Sequence, residues 1–471
     1  MRRSLCVAVQ AAVLICGAGV AAGDCGFDEI SVVTSPGFTI TVDSEYKVLE
    51  DQTAGIKYGL YCDRQPTGVD GVDRWFKVPV SSAGIRVPVA SGFLEALGRR
   101  DAIVAAEAPA NLTNACLDTS KIRALDSDAE QTGVDVVFSS DAGSDGDRSV
   151  RLPADDTLAP LQLAEWIKLV AAFFNDEKRA AALFGGIADA YECHRGNLQH
   201  VAARPHGYWV EYAGGDKASY SVVGSAYQKE LLAAAGTTNA TAAALNTTDV
   251  AAFQSAVSDA AVVFDQSQLT EHGQRATEWY RKFGYTDPQN SGSSFLRTRS
   301  IWRTDKYTSA SGVSNFAEFA YVRPDLVLQD VVGVVQPTYD ANYTRRWLLW
   351  LGGTNEDTVV VGADNYDCAR PWLQQVAACT AREDFVGPAG DSDSSSDDGS
   401  DDGSDDAGGS SGRAGRIAGG VVGAAAAVAL GVVGLHYYNR HRRNARMQAL
   451  RQTEFGGAEI GLARRTGSGF S

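Results

Sequence analysis

Apolar residues recur at three- and four-residue steps from Pro160 to about Leu198, a spacing that predicts an amphipathic helix. The apolar set is Leu163, Trp166, Ile167, Val170, Phe173, Phe174, Leu183, Phe184, Ile187 and Tyr191. The polar residues Gln162, Glu165, Lys168, Asp176 and Arg179 fall on the other face. At ~1.5 Å per residue such a helix would span roughly 50 Å, long enough to join two lobes. The alternative is two helices broken at Gly185–Gly186, because glycine weakens a helix interior.

Strand and helix patterns alternate on both sides of this segment, which predicts two Rossmann-like α/β lobes. In the first half we predict a hairpin over 47–61, strands over 75–80, 85–89, 103–106 and 133–138, and a short helix capped by Ser91 and ended by Gly98. In the second half we predict strands over 208–212 and 260–264, and helices over 227–235, 250–257 and 324–335. The predicted domains are an N-terminal lobe over 24–157, an interlobe helix over 158–198 and a C-terminal lobe over 199–388.

The sequences at the two ends of the chain predict the cellular localisation of the protein. Residues 1–23 have the basic start, apolar core and small-residue end of a secretory signal peptide, with an uncleaved anchor as the alternative. Residues 417–438 are uncharged and long enough to span a membrane, and arginines follow them directly, which predicts a transmembrane helix with a cytoplasmic tail over 439–471. We therefore expect a single-pass type I protein of the cell membrane, with its N-terminus extracellular or luminal.

One segment accounts for half of the formal net charge of −16. Residues 391–406 contain eight aspartates among serines and glycines, so residues 389–412 are predicted to be a disordered acidic linker. The rest of the predicted ectodomain is mildly acidic, and no basic patch suggests a nucleic-acid partner.

Cysteines and glycosylation motifs agree with secretion. Six cysteines remain beyond the predicted signal peptide: Cys25, Cys62, Cys116, Cys193, Cys368 and Cys379. An even number in an oxidising compartment favours up to three disulfides, and we expect Cys368 to pair locally with Cys379. Asn-x-Ser/Thr motifs at Asn111, Asn239, Asn246 and Asn342 fit a glycoprotein.

Four segments, in order, resemble the helical-backbone (class III) periplasmic substrate-binding proteins, which bind siderophores, haem, cobalamin or metals, in a eukaryotic membrane-anchored form. The segments are 78–80 with 93–104, 133–140, 165–175, and 323–328 with Pro337. The resemblance covers about 60–345. The sequence departs from the family in the Gly185–Gly186 pair, the cysteines and the predicted membrane anchor.

The resemblance implies a cleft between strand-end loops of both lobes, which here would be 81–84, 139–140, 211–212, 265–267 and 301–305. Arginine and aromatic side chains at a cleft suit an anionic, oxygen-rich chelate. The candidate ligand-binding residues are Arg303, Trp302, Tyr212, Ser81, Ser82, Glu211 and Asp265. No cofactor is predicted beyond a metal chelate as ligand, and a transporter partner is implied.

The resemblance favours a cell-surface protein that captures an iron-siderophore-like chelate, haem or cobalamin for uptake. The alternative is a surface glycoprotein that uses the same fold for adhesion or structure. Direct metal binding is disfavoured because His194, His200 and His206 are six residues apart and do not share a helical face. Within the predicted lobes, sequence motifs of serine hydrolases, zinc proteases and phosphate-binding loops are absent, so we predict no enzyme.

The predicted membrane span carries a ridge of small residues: Gly415, Gly419, Gly423, Ala427 and Gly431. Because small residues let two helices approach closely in lipid, Gly419→Leu and Gly423→Leu should reduce a weak homodimerisation in a bilayer reporter assay. Val422→Leu, on another face, is the control. Equal signals from all three variants and the parent would show that the ridge is compositional.

Overall fold

The structure is a computed structural model that describes residues 26–125, 133–141, 146–153, 157–214, 217–238, 243–267, 276–353, 356–362, 366–376, 379–382 and 385–387. No helix among these residues is long and apolar enough to cross a membrane. The predicted signal peptide, acidic linker, span 417–438 and tail lie outside the described residues, as does Asn239.

A four-stranded sheet begins the described chain and contains the predicted hairpin. Its strands are β1 (Phe38–Val42), β2 (Tyr46–Asp51), β3 (Ile56–Tyr61) and β4 (Arg74–Lys77). β1, β2 and β3 are antiparallel neighbours, and β4 pairs in parallel with β3. The hairpin over 47–61 is confirmed as β2–β3, with buried and half-buried residues alternating along β2, as expected for a strand with one face in the core.

A five-stranded, fully parallel sheet follows. Its strands are β5 (Ala83–Ile85), β6 (Ile103–Ala106), β7 (Arg123–Ala124), β8 (Val136–Ser139) and β9 (Ser149–Arg151), in the order β7-β6-β5-β8-β9. Helix α1 (Pro88–Ala96) connects β5 to β6. α1 starts at Pro88 and not at Ser91, so the predicted strand over 85–89 is too long: proline fixes a helical φ at the first position of a helix. Gly98 ends α1 with a φ of +68°, as predicted.

The second half contains a separate six-stranded sheet. Its strands are β10 (Gly207–Ala213), β11 (Ser219–Val222), β12 (Leu245–Thr247), β13 (Val262–Asp265), β14 (Ile301–Arg303) and β16 (Leu349–Trp350), in the order β12-β11-β10-β13-β14-β16. β10, β13 and β14 are parallel neighbours. A small parallel pair, β15 (Tyr307–Thr308) and β17 (Val359–Val360), lies outside this sheet.

The helices of the second half are α5 (Ala226–Ala234), α6 (Val250–Ala256), α7 (Ala276–Lys282), α8 (Ser294–Arg297), α9 (Phe316–Phe319) and α10 (Pro324–Val335). The predictions for α5, α6 and α10 are confirmed. The fold class is therefore mixed α/β with parallel strands in two separate main sheets, as predicted. The boundaries of the predicted domains stay a prediction.

The segment between the halves is three helices and not one: α2 (Pro160–Ala164), α3 (Ile167–Ala172) and α4 (Glu177–Asn197). The prediction of a continuous interlobe helix is wrong, and so is the alternative break, because Gly185–Gly186 lies inside α4. The chain instead turns at Asn175, which has a φ of +53° that asparagine tolerates better than most residues.

A buried lysine explains the position of this turn. Lys47 of β2 donates to the Ala172 carbonyl at the end of α3 (3.3 Å) and to Asn175 Oδ1 (2.9 Å). Its ammonium also forms an ion pair with Glu177, the first residue of α4. Because the lysine bonds a carbonyl at the end of α3 and a side chain at the start of α4, the break is stabilised by tertiary contacts that helix periodicity cannot show.

The polar face of these helices is covered by the N-terminal segment. Glu165 is fully buried and accepts hydrogen bonds from the backbone N–H groups of Val33 (2.8 Å), Thr34 (2.8 Å) and Ser35 (2.6 Å). Lys168 bonds Glu165 (2.7 Å) and the Ser31 carbonyl (2.7 Å). α3 is buried at all six positions, and its apolar residues belong to a hydrophobic core that includes side chains of both halves.

The disulfides differ from the predicted local pair. Cys116 bonds Cys368, and Cys193 bonds Cys379, across sequence separations of 252 and 186 residues. The predicted Cys368–Cys379 bond is therefore wrong. The buried guanidinium of Arg323 holds the carbonyls of Trp372 (2.9 Å) and Gln375 (2.6 Å), so the segment between the two cysteines is fixed against the core and does not close on itself. Cys62 is also disulfide-bonded.

Replacing Cys116 and Cys368 together by serine should lower the free energy of unfolding by about 2–5 kcal/mol, because the crosslink restricts a long loop of the unfolded chain. Urea unfolding measures the change, and peptide mapping without reduction identifies the bonds. The Cys193→Ser/Cys379→Ser variant is the matched control, which should keep the Cys116–Cys368 bond. A peptide linking Cys368 to Cys379 in the parent would contradict the assignment.

Candidate functional site

A cleft of about 490 Å³ lies where the carboxyl ends of the parallel strands of both main sheets converge. β5 and β6 contribute the residues that follow them, Arg86 and Glu107. β13 is followed by Gln266, and β14 is followed by Thr304 and Asp305. In open α/β sheets ligands bind outside the carboxyl ends of the strands, so this cleft is the candidate site.

The floor of the cleft is a tight contact between α1 of the first half and α9 of the second. A Cβ on Gly92 would lie 2.0 Å from the Glu318 carbonyl oxygen, so only glycine permits this approach. The Glu318 side chain is buried and accepts hydrogen bonds from Ser91 Oγ (2.5 Å), the Thr113 backbone N–H (2.6 Å) and the Thr113 hydroxyl. The two halves are thereby fixed to each other beneath the cleft.

A second contact crosses the mouth of the cleft. Ser311 Oγ donates to the Ala110 carbonyl (3.3 Å) and to Asn111 Oδ1 (3.2 Å). Asn111 is exposed, lines the cleft and begins a glycosylation motif whose Thr113 is buried. A glycan on Asn111 would therefore start at the edge of the cleft.

The charges that line the cleft are mostly negative. Arg86 is the cation of the lining within the described residues, and its guanidinium donates to the Leu125 carbonyl (3.2 Å). The acidic lining residues are Glu107, Glu211, Asp305 and Glu318. Because Glu107 is exposed and Glu211 is half-buried, the open part of the cleft presents carboxylates to a ligand.

Of the predicted site residues, Glu211 alone is in the cleft lining. Asp265 and Tyr212 are not part of that lining. Asp265 is buried and fully engaged, accepting hydrogen bonds from Ser267 and from Trp279 Nε1 (3.0 Å). Tyr212 packs against Tyr220 (5.6 Å between ring centroids) and Phe283 (5.9 Å). Asp265 thus supports the loop that carries Gln266 and Ser267 into the lining.

The structure places Arg303 and Trp302 behind the cleft wall. Arg303 is 2% exposed, and its guanidinium forms an ion pair with Asp305. The Trp302 ring stacks on Trp350 (5.9 Å between centroids) and lies 4.4 Å from the guanidinium carbon of Arg345. The carboxylate that pairs with Arg303 is only two residues away, so the Arg303 cation is already neutralised by its own loop.

Ser81 and Ser82 lie at the opposite end of β5 from the cleft. The prediction that residues 81–84 form a loop after a strand is wrong, because Ala83 and Gly84 belong to β5 and the serines precede it. Asp135 accepts hydrogen bonds from the Ser81 N–H (2.8 Å) and hydroxyl (2.8 Å) and from the Ser82 N–H (3.0 Å). These two residues fix the start of β5 against the start of β8.

Sequence reasoning named the loops after β13 and β14 but missed Arg86 and Glu107. For Glu107 the available signal was position, because it directly follows the predicted strand over 103–106. The predicted strand over 85–89 extends past the end of β5 and therefore includes Arg86, which in the structure follows that strand.

No group of three or more histidine, cysteine or acidic side chains suited to a metal ion occurs within the described residues. His194 is buried between Tyr339 (2.9 Å) and Gln329 (2.6 Å), and burial lowers its pKa. His206 pairs with Asp259 (2.7 Å) at the amino-terminal side of β10 and β13. The two histidines therefore have separate structural partners.

Comparison with solved structures finds matches of low identity. Helicobacter pylori CeuE with Ni(II) bound is 11% identical, with a TM-score of 0.41, covering 57% of this chain and 88% of its own. The periplasmic haem-binding protein RhuT from Roseiflexus is 14% identical, with a TM-score of 0.36, covering 54% and 99%. An ABC-type Fe3+-hydroxamate transport system from Saccharomonospora viridis is 15% identical, with a TM-score of 0.41, covering 56% and 96%.

No protein-family model and no curated protein sequence matches the chain. At the TM-scores of the structural matches, the likeness carries no argument about function. A function has to be argued from the geometry of the cleft.

Glu318→Gln should change how stability depends on pH. Burial raises the pKa of the Glu318 carboxyl above its ordinary value of 4.5, although the bonds from Ser91 and Thr113 oppose this shift. Above pH 4.5 the folded chain therefore retains a proton that the unfolded chain has released, so the free energy of unfolding falls as pH rises towards the folded pKa. The variant should lack this fall.

Urea unfolding of parent and variant between pH 4 and pH 8 checks the prediction, using the difference between the two so that other titrating groups cancel. The difference should shift in favour of Glu318→Gln as pH rises. A difference that stays constant with pH would show that Glu318 does not titrate abnormally.

Proposed function

We propose that the chain is a cell-surface substrate-binding protein that holds a small ligand in the cleft between its two main sheets. The observation that carries the proposal is the convergence of strand ends from two separate sheets on one cleft. Its volume of about 490 Å³ lies within the roughly 300–1,000 Å³ typical of small-molecule sites. The proposed role is binding without chemistry.

Contacts on two sides support a preformed site. The Glu318 contact fixes the floor, and the Ser311–Asn111 contact crosses the mouth. A site whose walls are already placed loses little conformational entropy when a ligand binds, which favours tight binding.

The charge of the lining refines the ligand class. We expected an anionic chelate from the arginine and aromatic residues of the sequence, but Arg303 is buried and paired, while Glu107 and Glu211 line the cleft. Carboxylates repel an anion and attract a cation in a partly desolvated cleft. We therefore propose a neutral or cationic ligand, with a metal chelate of that charge as the leading class.

The remaining parts of the proposal rest on the sequence. The apolar segment 417–438 with its arginine-rich flank supports a single-pass type I anchor, and the acidic segment 389–412 would hold the binding unit away from the membrane. A bound ligand would pass to a transporter partner for uptake.

Thermal unfolding of the purified full chain tests the binding function. The panel contains the cationic ferric trihydroxamate ferrioxamine B, an anionic ferric tricatecholate, haem and cobalamin. A ligand that binds only the folded chain stabilises it by about 2.7 kcal/mol at 100 times its dissociation constant, which raises the unfolding temperature. We expect a rise with the cationic or neutral chelates and none with the tricatecholate.

The double variant Glu107→Gln/Glu211→Gln should weaken binding of the cationic chelate about tenfold, the equivalent of about 1.4 kcal/mol. Asp101→Asn is the control, because Asp101 is an exposed carboxylate before β6, at the opposite end of that strand from the cleft. No response to any ligand in the panel would contradict the proposed chelate-binding function. Binding of the tricatecholate alone would contradict the proposed charge preference but not the proposal that the cleft is a binding site.

A further inference from the structure

A second pocket, of about 280 Å³, lies in the second half of the chain beside β15 and β17. It shares no lining residue with the cleft. Its walls are largely aromatic and apolar, formed by Tyr307, Phe319, Trp347, Val361, Tyr366 and Trp372. A flat apolar molecule would therefore find ring faces on several sides.

Buried polar atoms without hydrogen-bond partners belong to the same lining. Within the described residues, no partner is found for Arg345 Nε, Arg346 Nε, Trp347 Nε1, the Tyr366 hydroxyl or Asn315 Oδ1. Trp347 is 1% exposed and Asn315 is 5% exposed, so bulk solvent does not serve them. Buried polar groups are nearly always bonded. Four of these five atoms are donors and Asn315 Oδ1 is an acceptor, so the donors of this lining suit an occupant that carries acceptor oxygens.

The net charge of the lining is positive. It contains Arg345, Arg346 and Arg370 but only one carboxylate, Asp367, which pairs with Arg370 (3.2 Å). Arg345 pairs with Glu356 (2.6 Å). The ion pairs among the described residues do not include Arg346, whose guanidinium carbon lies 4.8 Å from the centre of the Trp372 ring. The Arg346 charge is thus left for an anion, with its plane supported by an indole.

Tyr366 adds a donor to this set at neutral pH. Burial raises the pKa of its hydroxyl, so the group keeps its proton and can donate to an oxyanion. Three kinds of donor, namely guanidinium, indole N–H and phenol O–H, therefore line the pocket next to aromatic walls.

We propose that this pocket binds a small aromatic carboxylate, whose oxygens take the donors of Arg346, Trp347 and Tyr366 and whose ring packs between the aromatic walls. A carboxylate fits better than inorganic phosphate, because phosphate would leave the apolar walls without contact. The site is independent of the cleft and of its proposed ligand.

Isothermal titration calorimetry of the purified full chain with benzoate tests the proposal. Benzoate should bind, benzyl alcohol should bind at least tenfold more weakly because it lacks the charge, and inorganic phosphate should not displace benzoate. No heat from benzoate at millimolar concentration overturns the proposal. If phosphate displaces benzoate at equal concentration, the proposal that the ligand is an aromatic carboxylate is overturned, and the pocket is a simple anion site.

Variants locate the binding. Arg346→Gln should weaken benzoate at least tenfold, and Arg346→Lys should retain part of the affinity because it keeps the charge but loses the planar fork. Arg281→Gln is the matched control, an exposed arginine on α7 that pairs with Glu278. Equal benzoate affinity in Arg346→Gln and the parent overturns the assignment.

Arg370→Gln keeps the test decisive if Arg346→Gln does not fold. Arg370 is 83% exposed at the edge of the pocket, so its replacement leaves the core intact and should weaken benzoate a few-fold. The Glu107→Gln/Glu211→Gln variant should bind benzoate like the parent. A loss of benzoate binding there would place the carboxylate in the cleft and overturn the second site.

Discussion

The contact between α1 and α9 is the constraint on which the cleft depends. The helices approach so closely that Gly92 has no room for a Cβ, and the buried Glu318 carboxylate joins Ser91 and Thr113 of the first half to the second. A buried carboxylate is costly unless donors surround it, so the same bonds that stabilise Glu318 also fix the spacing of the two sheets. Because that spacing sets the width of the cleft, the size of the cleft depends on a contact of which only Glu318 belongs to the lining.

Other buried charged side chains fix the positions of chain segments in a similar way. Lys47 bonds the last residue of α3 and pairs with the first residue of α4. Glu165 accepts hydrogen bonds from the N-terminal segment, and Arg323 donates to the segment between the two C-terminal cysteines. Each of these side chains bonds backbone carbonyls or N–H groups of a distant part of the chain. Such bonds are directional, so they select one arrangement of segments where apolar contacts alone would accept several.

Local sequence patterns were sufficient to predict helices and strands, but not the contacts that these elements make with distant residues. The apolar run at 133–138, the proline-to-proline segment 324–337 and the glycine at 98 each contain their own signal, and the corresponding strand, helix and helix end are present. The turn at Asn175, the Cys116–Cys368 bond and the burial of Glu165 depend on groups more than 100 residues away. The candidate site follows the same division: the loops after β13 and β14 follow from strand ends, whereas the pairing of Arg303 with Asp305 depends on how that loop folds back.

The cleft and the arginine–aromatic contacts lie at different places in the structure, although the sequence suggested that they would coincide. Arginine and aromatic residues were expected in the cleft, yet the charged residues of the cleft lining are mostly carboxylates, and Arg345 and Arg346, which contact indole rings, line the second pocket. Trp302 lines neither pocket, and its ring contacts Arg345, which lines the second one. Opposite charge in the two pockets means that a single anion cannot serve both, since the field that favours it in one disfavours it in the other. Under the two proposals, a cationic chelate would belong to the cleft and an aromatic carboxylate to the second pocket, so the two ligands would not compete.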